Sequence, residues 1–90
     1  MHDDDAALAL QALGWILSDE PRAERLLAMT GLGPDTLRGS LGEQATLAAV
    51  LSFLAAHEPD LVACAETLAV RPEQLAAAAR RLEGDERIEA

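Results

Sequence analysis

The 90-residue chain contains no Lys, no Asn and no Tyr, and its only aromatic residues are Trp15 and Phe53. Its seven basic residues, all Arg, face sixteen acidic ones, for a net charge of -9. Each shortage excludes something. A lone cysteine, Cys64, forms no internal disulfide, so nothing points to an oxidising compartment. The scarcity of positive charge argues against a free nucleic-acid binder, which presents a basic surface to phosphate. No apolar run reaches the roughly 18 residues that a membrane-spanning helix needs. The acidic start His2-Asp3-Asp4-Asp5 is the reverse of a secretory signal. The expectation is a cytoplasmic protein that makes no membrane contact. With Val, Ile and Thr scarce, there is little material for a sheet.

What the chain does have is Ala and Leu, nineteen and sixteen of them, which are strong helix formers. Half of the residues are hydrophobic, too many for a disordered acidic protein. The fold expected is all-α: a compact bundle of five to six short helices, the last two in a helix-turn-helix-like hairpin. The expected organisation is one helical domain over residues 1–84 and a charged C-terminal tail over 85–90. The Arg-only, Ala-rich composition suggests a GC-rich bacterial genome.

Punctuation along the chain sets the helices. Asp5 or a neighbouring Asp caps a first helix to about Leu17, and the three carboxylates suit the positive end of its dipole. Leu10, Leu13 and Leu17 share a stripe of this helix, widened by Leu8, Ala12, Trp15 and Ile16, and its nearly all-apolar surface places it at the centre of the bundle. Gly14 in its interior costs about 1 kcal/mol against Ala, so it is expected to mark a close helix crossing. Pro21, Pro34, Pro59 and Pro72 each fall where the first turn of a helix begins, a position at which the missing N–H is harmless. Gly31 is the expected left-handed stop of the second helix. Leu32 and Leu37 bracket the start of a short third helix as a hydrophobic staple, and Ser40 to Glu43 have capping-box spacing for the fourth. Leu47, Val50, Leu51 and Leu54 then form the cleanest helical period in the chain.

Reactive groups are few. No nucleotide loop, zinc spacing or catalytic constellation is present, so the chain is not expected to be an enzyme, and no catalytic residue, cofactor or metal is assigned. His57 reads as a capping or surface residue at a helix end, and Cys64 as a small buried thiol with no cation beside it. Asp3, Asp4 and Asp5 read as helix-dipole partners and not as a hard-metal site, which needs ligands from further away.

Leu61 to Leu75 resembles the helix-turn-helix of DNA-binding proteins, with Arg71, Gln74, Arg80 and Arg81 as the residues that would meet nucleic acid. The departures weigh against that use. Ala69 stands where glycine is usual, and the would-be recognition face reads Pro72, Glu73, Gln74 and then four alanines. By segment, residues 1–20 carry -5, 21–42 carry +1, 43–69 carry -4 and 70–90 carry -1. The candidate DNA-facing end is therefore not basic.

Over roughly residues 6 to 83 the chain resembles a family of short uncharacterised alphaproteobacterial proteins, catalogued as a domain of unknown function. The likeness is carried by Ala9-Leu10-Gln11-Ala12-Leu13-Gly14-Trp15-Ile16-Leu17, by Leu26 to Leu32, and by Phe53 to Leu61. It implies an origin and a compartment and transfers no site residues. The function expected from the residues themselves is a small acidic protein–protein interaction module, adaptor or regulatory, whose partner is another protein or a second copy. Trp15, Arg22 and Arg25 are the candidate partner-binding residues: an aromatic anchor and two cations on one helix face in the only net-positive segment. The arginines also have Asp19, Glu20 and Glu24 within reach as surface pairs. The alternative is a nucleic-acid-binding accessory protein using residues 61–83.

Overall fold

The computed structural model describes residues 3–84, and these form six helices with no strand. They are α1 (Asp3–Leu17), α2 (Glu20–Thr30), α3 (Pro34–Gly39), α4 (Gln44–Ala55), α5 (Glu58–Leu68) and α6 (Pro72–Glu83). His2 and the 85–90 tail lie outside the described residues. Each of the four prolines occupies the first turn of its helix, as expected. Asp19 caps α2 by accepting a hydrogen bond from the Arg22 backbone N–H at 3.1 Å. Gly31 ends the same helix at φ 75°.

The centre of the bundle is α4 and not α1. Seven of its twelve residues are buried, Leu47, Val50, Leu51 and Leu54 among them, and α6, α1, α5 and α2 all pack on it. The face of α1 is also turned from the one its leucines suggest. Ala9, Ala12, Leu13 and Ile16 are buried, whereas Leu10 and Leu17 are 43% and 46% exposed. Alanines on the inner face let α1 lie close against its neighbours.

That rotation moves Asp5. It stands one turn before Ala9 on the inner face and is only 4% exposed, so it lies inside α1 and does not cap it. A buried carboxylate needs a partner, and Arg81 of α6 supplies one: Nε and a terminal guanidinium N–H donate to the two carboxylate oxygens, each at 2.8 Å. The pair ties the first turn of α1 to the last turn of α6.

Two further expectations are corrected. Gly14 marks no crossing among the described residues, since a Cβ built there meets nothing of theirs within 4 Å. The capping box at Ser40 and Glu43 does not form. The Ser40 hydroxyl donates to the Leu37 carbonyl of the preceding helix, so Glu43 takes the cap position of α4 with no side-chain bond.

The α5–α6 hairpin turns through Ala69, Val70 and Arg71. Ala69 sits at φ 61° and ψ 40°, left-handed, with its N–H bonded to the Glu66 carbonyl and that of Val70 to the Ala65 carbonyl. This is a Schellman ending built on a residue with a Cβ, which costs about 1–2 kcal/mol. Glycine would remove that strain and return part of the gain through a freer unfolded chain. We expect Ala69→Gly to raise stability by about 0.5–1 kcal/mol, read as a higher urea midpoint at unchanged slope.

No described helix is long and apolar enough to cross a membrane; α4 and α5 are so only together, and they meet at 111°.

Candidate functional site

The residues able to do chemistry are dispersed. Among the described residues, no three His, Cys, Asp or Glu side chains are gathered where they could hold a metal. His57 is the residue before α5, half-exposed, with Nδ1 3.1 Å from Asp60 Oδ2. Cys64 is fully buried in the interior of α5. Burial pushes its thiol up to about 11, with the nearby Arg22 charge opposing the shift. A raised folded pKa means stability that is complete below the ordinary value of 9.0 and is lost as pH rises from there through 11. We expect native protein at pH 8 to leave Cys64 unmodified by iodoacetamide, and unfolded protein to react fully. Rapid native alkylation would place the thiol in solvent.

The expected partner-binding residues fall into two clusters. Trp15 is partly buried, and the Arg22 guanidinium lies over its ring at 3.6 Å from the centroid. Arg22 also donates to the Trp15 carbonyl at 2.8 Å and to Ser18 Oγ at 3.3 Å, with Asp19 at 3.9 Å. Its Nε is buried and makes no hydrogen bond. Trp15 and Arg22 thus clasp the α1–α2 corner. Arg25 reaches across to α5 instead, donating to Asp60 at 3.1 Å, and lies 5.8 Å above the Phe53 ring.

The residues of the helix-turn-helix alternative all lie at the surface, and two of them are already engaged. Arg81 is held by Asp5, and Gln74 Oε1 accepts the Arg71 backbone N–H at 2.8 Å as a helix-start bond. Of the three arginines, Arg71 and Arg80 are exposed and outside any ion pair among the described residues.

The open surface lies on α4. Between its outer face and the end of α2 runs a groove of about 480 Å³, lined by Met29, Leu32, Ala45, Ala49, Phe53 and Ala56 together with Thr30, Thr46 and Ser52. Met29 is the most exposed large hydrophobic residue described, at 61%. A second groove of about 470 Å³ follows the other flank of α4 beside Leu82 and Glu83, and shares Ala45, Ala49 and Ser52 with the first. Gln44 donates to the Leu82 carbonyl at 2.8 Å, and the Ser52 hydroxyl bonds the Glu83 carboxylate; both bonds hold that wall in place.

The sequence does carry a signal for this groove, though not among the expected site residues. Ala45, Ala49, Ser52 and Ala56 recur at helical spacing on the side of α4 opposite Leu47, Val50, Leu51 and Leu54. The charge is legible in the same way. Every ion pair among the described residues uses an aspartate: Asp5, Asp19, Asp35 or Asp60. The described glutamates, all exposed, enter none, so the described surface that remains is acidic.

No curated protein and no solved structure matches the chain. A model of the family described as Protein of unknown function (DUF3572) matches residues 2–85, and the chain belongs to that family.

Proposed function

We propose that the chain is a protein–protein interaction module, without catalytic activity, whose α2–α4 groove takes an apolar helix of another protein. The observation that carries this reading is the groove itself: apolar walls, a floor of small side chains, and Met29 standing exposed at its side. A flexible thioether adapts to the partner it meets. The twelve residues of α4 give a floor about 18 Å long, enough for apolar side chains at i, i+4 and i+7 of a bound helix. The glutamates that enter no ion pair among the described residues, with Glu43 preceding α4 and Glu83 along its other flank, favour a partner whose flanks are basic. Nucleic-acid binding through residues 61–83 is disfavoured by the engagement of Arg81 and Gln74 and by the net charge.

A photo-crosslinking residue placed at Ala45 tests the reading in the cells that make the protein. It is expected to give discrete protein adducts, while the same group at Glu66, on exposed α5 surface, gives none. Equal labelling from both positions would remove the groove from the account.

A further inference from the structure

Beneath α3 the bundle is not filled. α3 is the only described helix that shares no extended contact with another, and Leu37 is its single buried side chain. Between α3, α1 and α2 opens a cavity of about 160 Å³ lined by Leu13, Leu17, Leu27, Pro34, Leu37 and Leu41. Folded interiors rarely leave a space larger than a water molecule. This one stays open because both ends of α3 are tied down. At its entry Gly31 is left-handed and the Leu32 N–H donates to Thr30 Oγ1 at 3.3 Å. At its exit the Ser40 hydroxyl donates to the Leu37 carbonyl at 3.1 Å. The cavity is therefore built in advance, as ligand sites usually are.

Size and lining define what it takes. Drug-sized ligands fill about 300–1,000 Å³, whereas an apolar cavity of about 150 Å³ holds benzene and stays dry. Arg38 is the one charged residue among the described residues of the lining. Its side chain is 74% exposed and donates to Asp35 at 3.0 Å, so it faces water. A charged group entering the cavity would lose its hydration and gain no bond in return. We propose that the α1–α2–α3 cavity is a binding site for a small uncharged hydrocarbon-like molecule of about six to eight non-hydrogen atoms. Such a molecule supplies the contacts that the leucines of three helices lack, and ties α3 to α1. Leu17, 46% exposed, stands with Pro34 and Arg38 at the mouth through which it enters. The cavity is separate from the α2–α4 groove, and either assignment can fail with the other intact.

Titration of the full chain, its leucine methyl groups isotope-labelled, with hexanol and with hexanoate tests the proposal by nuclear magnetic resonance. Hexanol is expected to shift the methyls of Leu13, Leu17, Leu27, Leu37 and Leu41 saturably, with a Kd of about 0.1–1 mM. Leu51 and Leu54, in the core on α4, should keep their positions. Hexanoate, the same chain length with a charge, is expected to bind about tenfold more weakly or worse. Leu17→Trp places a larger ring at the mouth and removes no buried contact. The variant should melt within a few degrees of wild type and lose hexanol affinity about tenfold. No saturable shift at about 5 mM hexanol, shifts spread equally over the α4 leucines, hexanoate binding as tightly as hexanol, or undiminished binding to Leu17→Trp overturns the proposal.

Discussion

Leu51→Ala is expected to destabilise the protein by about 3 kcal/mol, the largest effect anticipated for a single substitution. Leu51 is fully buried on α4 beside Val50 and Leu54. The loss has two parts, the transfer of the removed methyl groups and the cavity left behind. Helices pack on α4 from several sides, so its neighbours have little room to collapse into the gap. A domain of this size has only about 5–10 kcal/mol in total, and the melting temperature should fall by about 12–24 °C. Leu10→Ala is the control: with 43% exposure it should cost less than about 1 kcal/mol. Thermal and urea melts followed by circular dichroism check both, and similar losses from the two variants would contradict the placement of α4 at the centre.

Arg81→Met is expected to cost about 2 kcal/mol, more than Asp5→Ala. Removing the guanidinium takes two 2.8 Å charge-assisted bonds from a carboxylate that is only 4% exposed. Breaking a fully buried pair in this way costs about 3–5 kcal/mol. The Arg81 side chain is 49% exposed and screened by water, which lowers the figure. In Asp5→Ala the charge left behind is the half-exposed guanidinium, which water solvates, and about 1 kcal/mol is expected. The asymmetry is the diagnostic feature, read from urea midpoints of the two variants. Equal losses would mean that Asp5 is not buried as described.

These residues also show where the sequence was legible. The four first-turn prolines, Gly31 and the Leu47–Leu54 period fix helix positions by local chemistry, which a chain reveals directly. The facing of α1 is different: leucines at 10, 13 and 17 outrank alanines at 9 and 12 on hydrophobicity alone. What decides is how closely α1 approaches the rest of the bundle, a tertiary quantity. Once Ala9 and Ala12 face inward, Asp5 follows, and Arg81 pairs with it across the bundle. The groove has the same origin. Small residues on the outer side of α4 are visible in the sequence, but that α2 and α6 leave them uncovered is not. Trp15 and Arg22 illustrate the converse, since a clasp over seven residues uses the side chains that an interface anchor would use.

The α2–α4 groove is the proposed place where another protein binds. Its most direct test is the affinity of the purified crosslinked partner for wild type and for Ala49→Arg, measured by isothermal titration calorimetry. Arginine is a good helix former, so the variant should melt within a few degrees of wild type, yet it places a charge and a long side chain on the groove floor. Binding is expected to weaken about tenfold or more; an unchanged affinity in a folded Ala49→Arg variant would overturn the assignment of the groove.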